Sequence, residues 1–414
     1  MLQNTILEPA RELRVSDEYD VVVVGGGIAG ISAALAAKRA GSSVCLLERF
    51  TAVGGLATIG NVIIYLPICD GMGTKVSGGI CEELLKLSAA DKKEFFPELL
   101  EQDIPECWKH KATVEERKEH RYRTGFNPIS FNYKLERLLL KNKIKIYYDT
   151  RFCDVAMRDH TIEAVLIENK DGRSAICCKS VVDCSGDADV CYAAKEKTVS
   201  LNSNVCCGWY YYSDTHRNKL VEMSCLHDPA GKRVQGHGRW YRGDKANDVT
   251  AMMIDSRKMM FEDMAKKQTM SNGNIYPIQA PIMPSFRMSR RLNGKHTLKE
   301  TDMFRWYEDT VGLISDWRKN GPVYPIPFSA LAAVKTTNLI AAGRCISSMG
   351  DTWDITRVIP CCAVTGEAAG AAAAFLSLDH CHSFQELDIS VLQKYLRKKK
   401  VLIDRDILQK NIDQ

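Results

Sequence analysis

Gly25, Gly27 and Gly30, within Gly25-Gly26-Gly27-Ile28-Ala29-Gly30, have the spacing G-x-G-x-x-G, and a carboxylate, Glu48, follows them. These residue types in this order can do one kind of chemistry. The first glycine permits a tight turn, the second lets the backbone approach a pyrophosphate, and the third lets a helix pack closely on a strand. The amino end of that helix attracts phosphate charge, and a carboxylate about 20 residues on can accept hydrogen bonds from a ribose diol. The pattern is that of a dinucleotide site.

Such a site needs a strand, a turn, a helix and a second strand, and the flanking sequence supplies each. Val21 to Val24 is a β-branched run of the kind buried on both faces of a parallel sheet. Ile31, Ala34, Leu35 and Lys38 keep helical spacing from Ile28 to Ala40, Gly41 ends the helix, and Ser43 to Leu47 reads as the next strand. Further on, the pattern predicts a helix over Tyr133 to Asn142 and a strand over Ile144 to Tyr148. A hairpin or meander is expected from Val155 through Ala164 to Glu168 around Asn169-Lys170-Asp171-Gly172, and a strand over Ala175 to Asp183. Between residues 190 and 330 aromatics, Met and Arg increase and the alternation of strand and helix is lost. Strand, glycine and alanine signals return in NLIAAGRC, 338–345, and the chain closes with an amphipathic helix running into the basic LRKKK.

The pattern around Glu48 continues through Arg49 to Gly54-Gly55 and Ala57-Thr58. Two more segments follow in order: VVDCSGDAD, 181–189, with Ser185-Gly186-Asp187 at its turn, and NLIAAGRC with Gly343-Arg344. With these three elements the chain resembles FAD-containing oxidoreductases of the glutathione-reductase-like superfamily. Within it, SRRLNGKHTL, PVYPIPFSAL and GRCIS followed by TRVIPCCAVTGEAAGAAAA resemble the FAD-dependent oxidoreductases related to succinate dehydrogenase and fumarate reductase flavoproteins.

The resemblance implies an α/β fold: a Rossmann-type FAD-binding domain over 15–190 and 325–382, interrupted by a mixed α+β substrate or cap domain at 191–324 and followed by a C-terminal helix at 383–414. It implies FAD as cofactor. Gly25, Gly27, Ile28, Ala29 and Gly30 would meet the pyrophosphate and Glu48-Arg49 the adenosine ribose. Gly54, Gly55, Ala57 and Thr58 would pass close to the flavin. Ser185, Gly186, Asp187, Gly343 and Arg344 would meet the rest of the cofactor, and Gly366, Ala368 and Ala369 would open a helix whose amino end supports charge at the flavin's pyrimidine edge.

The chain departs from its relatives at Cys184-Ser185, where Ala-Thr is common. No histidine follows Gly54-Gly55 to make a covalent flavin link, so noncovalent FAD is expected. SGGICEE, 77–83, lacks the glycine geometry of a second nucleotide site, and there is no C-x-x-C pair. The vicinal Cys361-Cys362 pair is either redox-active beside the flavin or packed against it.

Arginine binds carboxylates through its planar fork and can assist proton delivery where negative charge develops. Arg357, between two expected flavin-contacting elements, is the first candidate for catalysis, and its competing reading is an ion pair with Asp351 or Asp354. Arg290 and Arg291, with Arg287 beside them, are the second, against a solvated face. His120 and His237 are the histidines considered as bases. Trp240, Tyr241 and Trp353 could stack on a ring or simply pack.

Composition narrows the classes. Fifty-six Lys+Arg against 51 Asp+Glu leave a net charge of +5 with no long basic run, which argues against nucleic acid. Nine histidines show no H-x-x-x-H or HExxH, and no cysteine spacing makes a zinc site, so no metal is expected. Sixteen cysteines spread through a long chain fit reduced thiols in the cytoplasm better than disulfides. The first residues carry acids and no apolar core, unlike a signal peptide. The apolar runs at 21–37 and 359–378 are interrupted by glycines, or by Pro360 and Glu367, so no membrane segment is expected. The expected function is hydride or electron transfer between noncovalent FAD and a small organic substrate, with a carboxylate-bearing one among the candidates, and with electron partner and oligomeric state left open. The rivals are a flavin monooxygenase and a non-catalytic flavin-fold binding protein.

Overall fold

A computed structural model describes residues 8, 10–89, 103–214, 218–225, 238–378 and 381–412. The chain begins with strand β1 (Val15–Val24), helix α1 (Ile28–Ala40) and strand β2 (Val44–Leu47). Helices α2 (Ile80–Ala89) and α3 (Pro128–Lys141) follow, then strands β3 (Lys145–Tyr147), β4 (Arg151–Arg158), β5 (Thr161–Asn169) and β6 (Gly172–Asp183). In and around the segment expected as an insert lie α4 (Asp189–Ala193), β7 (Cys207–Ser213), β8 (Asn218–Ser224), α5 (Ala246–Met270), β9 (Tyr276–Gln279) and β10 (Arg290–Leu292). The return brings β11 (Thr310–Ser315), β12 (Val323–Pro327), β13 (Leu339–Ala341), α6 (Gly350–Thr356), α7 (Ile359–Ser377), α8 (Ile389–Lys398) and α9 (Arg405–Ile412).

The main sheet has the order β3-β2-β1-β6-β5-β4, and β13 also pairs β6. The pairs β1-β2, β1-β6, β2-β3 and β6-β13 are parallel, whereas β4-β5 and β5-β6 are antiparallel. The outer edge of β6 is therefore shared: its first half pairs β5, and Val181, Val182 and Asp183 pair Leu339, Ile340 and Ala341. Val24 lies opposite both Leu47 and Asp183. The carboxyl ends of the parallel strands thus share one edge, where open α/β sheets bind ligands.

Burial explains the valine run, since Val21, Val22 and Val23 are fully buried between the two layers that cover the sheet. One layer is α1 against α7. A Cβ on Gly366 would fall 2.2 Å from the Ala29 carbonyl oxygen, and one on Gly370 2.1 Å from that of Ala33, so the glycines let two backbones touch. Helix α7 is long and apolar enough to cross a membrane, but it is buried inside the fold.

In the insert, β8-β7-β9 form an antiparallel sheet covered by Met252, Met260 and Met264 of α5. Val311 and Ile314 of β11, inside the expected insert, pack in the main core. The C-terminal segment, expected as one helix, contains two. Lys400 has φ +68°, and Val401 and Ile403 then turn inward with the two-residue period of extended chain before α9 begins.

Glu367 is the buried acid of α7. Its Oε2 accepts the Ile80 N–H at 2.7 Å, at the amino end of α2. Burial pushes its pKa up to about 8, against the pull of that N–H and of Arg39 and Lys399, with Glu83 adding to the rise. The folded state therefore holds a proton that the unfolded chain releases near its ordinary value, and this contribution to stability is lost as pH rises from about 4.5 to 8. Glu367→Gln, which keeps an acceptor for Ile80, is expected to melt increasingly above the parent as pH is raised from 5 to 8. Thermal melts across that range check it; a difference that is flat or shrinks with pH contradicts it.

Candidate functional site

The three spaced glycines do three different things. Gly25 has φ +105°, and a Cβ there would stand 2.3 Å from the Cys184 carbonyl oxygen. A Cβ on Gly30 would stand 1.8 Å from the Gly25 carbonyl oxygen. At Gly27, by contrast, a Cβ would meet nothing within 4 Å. Gly25 and Gly30 hold the turn against neighbouring backbone, while Gly27 faces the open space of a cavity at the carboxyl edge of the sheet. Gly27 also caps α1, so that helix presents its unpaired N–H groups there.

The cavity wall includes Gly25, Gly27, Ile28 and Ala29 at the start of α1, then Glu48 and Arg49 at the end of β2. Glu48 is buried, and its two carboxylate oxygens accept the N–H groups of Gly26 at 2.8 Å and Phe50 at 2.9 Å. Burial raises its pKa while those two N–H groups and Arg49 oppose the rise. Each oxygen accepts one bond from the protein, and a carboxylate has room for more. Gly54 (φ +98°) and Gly55 (φ +55°) bring the next loop alongside Gly27, with the Gly54 N–H donating to the Gly26 carbonyl at 2.7 Å. Gly54, Gly55 and Ala57 line the cavity; Thr58 does not, because its hydroxyl is turned to the Val53 carbonyl at 2.6 Å.

At the end of β6, Asp183 organises the turn, a role missed from sequence. Fully buried, it accepts the Ser185 hydroxyl at 2.7 Å and the Cys191 N–H at 2.9 Å. The available signal was an acid ending a valine strand three residues before Gly186. Ser185 and Gly186 line the cavity. Asp187 stands behind it, 3.5 Å from Arg344, whose guanidinium also donates to the Phe286 carbonyl. A Cβ on Gly186 would lie 2.4 Å from the Arg344 side chain, so this glycine admits the arginine to the wall. Gly343 and Arg344 line the same cavity, and the Gly343 N–H donates to the Thr365 hydroxyl at 2.9 Å.

The last helix of the site starts earlier than expected. Helix α7 opens at Ile359 with Pro360 in its first turn, and Ile359 and Cys362 meet the cavity. Gly366, Ala368 and Ala369 do not line it; they are small because α1 lies against α7. The start signal was Pro360, a residue suited to the first helical turn. Cys361 points into the core while Cys362 faces the cavity, as consecutive helical side chains must diverge, and all sixteen cysteines are free thiols.

Arg357 lines the cavity at this end and is also ion-paired. Its Nε donates to Asp354 at 2.7 Å and its Nη2 contacts the same oxygen, so the ion pair expected with Asp351 or Asp354 is made with Asp354. Asp351 pairs with Arg318 instead, at 3.1 Å. Burial lowers the proton affinity of Arg357, opposed by Asp354 and reinforced by Arg287 and Arg344 nearby.

Arg290 and Arg291 are not brought to the cavity. Arg290 donates to the Asp187 carbonyl at 2.8 Å and to Asp189 at 2.6 Å and lies over the Tyr192 ring, bracing the turn from behind. Arg291, next along the strand and so on its other face, lies over Trp353. Trp353 is itself buried and donates to the Arg344 carbonyl at 3.1 Å, and Tyr241 is buried in the insert. Neither these two rings nor Trp240 lines the cavity. His120 is exposed and away from it, and His237 lies outside the described residues.

The family whose model is described as FAD dependent oxidoreductase matches residues 20–202 and 247–396, which contain every cavity-lining residue named above. NADH:acrylate oxidoreductase of Vibrio harveyi is 42% identical over 89 residues, 21% of this chain and 9% of that protein. Thioredoxin reductase of Ureaplasma parvum is 36% identical over 72 residues, 17% of this chain and 23% of that protein. The chain thus spans less than a quarter of the length of either relative. A geranylgeranyl bacteriochlorophyll reductase-like structure from Thermoplasma acidophilum aligns over 96% of both chains at 14% identity and a TM-score of 0.45. The chain belongs to the FAD dependent oxidoreductase family.

Proposed function

We propose that this enzyme transfers hydride or electrons between a noncovalently held FAD and a small, carboxylate-bearing organic substrate that meets Arg357. One observation carries the reading: a single cavity runs from Glu48, past the open face of Gly27, to Arg344, Cys362 and Arg357. The donor set fits FAD along that whole length. Gly27 and the amino end of α1 would accept the pyrophosphate, Glu48 the adenosine ribose, and Gly54-Gly55 and Gly343-Arg344 the flavin half.

FAD supplies the electron chemistry when bound; the protein's tasks are to hold the substrate, exclude water and stabilise charge. Asp354 fixes the Arg357 guanidinium through one edge, leaving the rest of its fork for an anionic group. Met283 brings the insert to the same wall, so the substrate would be enclosed between the two parts of the chain.

The test is an anaerobic panel of small carboxylates mixed with the yellow protein, following loss of the flavin's visible colour. Bleaching by a carboxylate supports the reading. Turnover only with oxygen and a reduced nicotinamide, yielding a hydroxylated product, would favour the monooxygenase instead. No redox response to any compound would favour the binding protein. Among the described residues no histidine lines the cavity, and acid precipitation is expected to release all the yellow colour into the supernatant.

Glu48→Ala is expected to weaken FAD at least tenfold, since two hydrogen bonds to a charged carboxylate contribute on the order of 1.5–3 kcal/mol each. Fluorescence titration of apoprotein with FAD measures it, and an unchanged Kd would place the ribose elsewhere.

A further inference from the structure

A second cavity, of about 400 Å³, shares none of the lining residues of the first. Its walls come from the far end of α1, the start of α2, Glu367 in the middle of α7, and the end of α8 with the two lysines after it. Gly79, at φ +59°, makes room for the Glu367 carboxyl, since a Cβ there would stand 2.4 Å from Oε2. That oxygen takes the Ile80 N–H at 2.7 Å. Oε1 has no hydrogen-bond partner among the described residues, and it is not sealed off from the cavity.

Most charges on the walls cancel in pairs. Both Nη atoms of Arg39 donate to Glu83 at 2.7 Å, and Lys86 meets Glu82 at 2.8 Å. Lys399 and Lys400 are exposed, and among the described residues neither has a carboxylate within 4.0 Å. The Lys399 Nζ lies 5.3 Å from the centre of the Tyr395 ring, on the cavity wall. Glu367 adds no negative charge at neutral pH, because burial pushes its pKa up to about 8. With Oε2 accepting, its proton belongs on Oε1, which makes the acid a donor. Two uncompensated cations and one donor call for an anion.

The room and the neighbours narrow its class. A halide underfills the space, since one water occupies about 30 Å³ in the liquid. A phosphate dianion would face Glu82 and Glu83 with the Arg39 fork already taken. A carboxylate on an apolar body suits the lysines, and the body suits Ala36, Ile80 and the Tyr395 ring.

We propose that this cavity binds one small organic monocarboxylate, with its oxygens accepting from Glu367 and Lys399 and its apolar part against Ala36, Ile80 and Tyr395. The site is distinct from the substrate position beside Arg357 and does not rest on it.

4-Bromobenzoate is the probe, used on enzyme that carries its FAD. Soaked crystals are expected to show the bromine's anomalous peak in the cavity between Glu367 and Tyr395. In solution, calorimetric titration should give saturable binding, and 4-bromobenzamide, which lacks the charge, should give none. A carboxylate can also meet Arg357, so the binding component that belongs here is the one kept in Arg357→Lys and weakened about tenfold or more in Lys399→Glu, where a repulsion replaces an attraction. Lys399 is exposed, so its variant should fold as the parent does. Glu367→Met, which removes the donor, should abolish the component, and if that variant does not fold the Lys399→Glu titration decides. A bromine peak only beside Arg357, binding at crystal concentration only, or equal affinity in wild type and Lys399→Glu would overturn the proposal. Failure of the Arg357 reading alone would leave the Lys399-dependent component in place.

Discussion

Gly27→Val protein is expected to fold and to purify without yellow colour. The substitution is unusual among the glycines of this turn, because a Cβ at Gly27 meets no protein atom within 4 Å. Its backbone, at φ −70° and ψ −179°, is extended and open to any residue. The cost to the apoprotein is confined to a poorer helix cap, about 1 kcal/mol. The added methyls occupy the space through which the backbone would approach the pyrophosphate. FAD retention should fall below detection in the purified protein, while circular dichroism and the apoprotein melt stay close to the parent. Gly30→Val is the contrasting control: its side chain would collide with the Gly25 carbonyl, and the fold itself should be lost. Full yellow colour in Gly27→Val would contradict the placement of the cofactor.

Arg357→Lys is expected to keep FAD and stability and to lose turnover. Lysine can still reach Asp354 with a positive charge, but it has no second edge to offer an anionic substrate. Removing a preorganised donor that acts on developing charge costs roughly a hundredfold or more in rate. The decisive comparison is kcat/KM for the carboxylate substrate against its neutral amide. The parent should prefer the carboxylate strongly and the variant should lose most of that preference. Joint loss of FAD, stability and activity would show instead that the Asp354 pair is the whole role of Arg357.

The end of the cavity at Gly27 and Glu48 was legible in the sequence because its constraints are local. Gly25, Gly27 and Gly30 act within six residues, and Glu48 ends the very next strand. Residues whose role depends on distant packing were less legible. Gly366, Ala368 and Ala369 carry the small side chains that a ligand turn and a helix crossing both demand, and only the approach of α1 tells these apart. Arg290 and Arg291 alternate across a short strand, and nothing near them in sequence shows that Asp189 takes one and Trp353 the other. In the insert, Trp209 to Tyr212 is an aromatic run serving two surfaces: Tyr210 and Tyr212 meet α5, while Trp209 and Tyr211 pack on the main core. That double burial hid the two-residue period of strand β7.

The central claim is that one cavity joins a nucleotide end at Glu48 and Gly27 to a chemical end at Arg357. Anaerobic stopped-flow spectroscopy of the yellow protein, mixed in turn with a reactive carboxylate and with its uncharged amide, tests this most directly. The predicted result is rapid change of the flavin's visible band with the carboxylate, at least a hundredfold slower change with the amide, and collapse of that difference in Arg357→Lys protein that still carries FAD. Equal rates for carboxylate and amide in the wild type, or an undiminished difference in Arg357→Lys, would contradict the account.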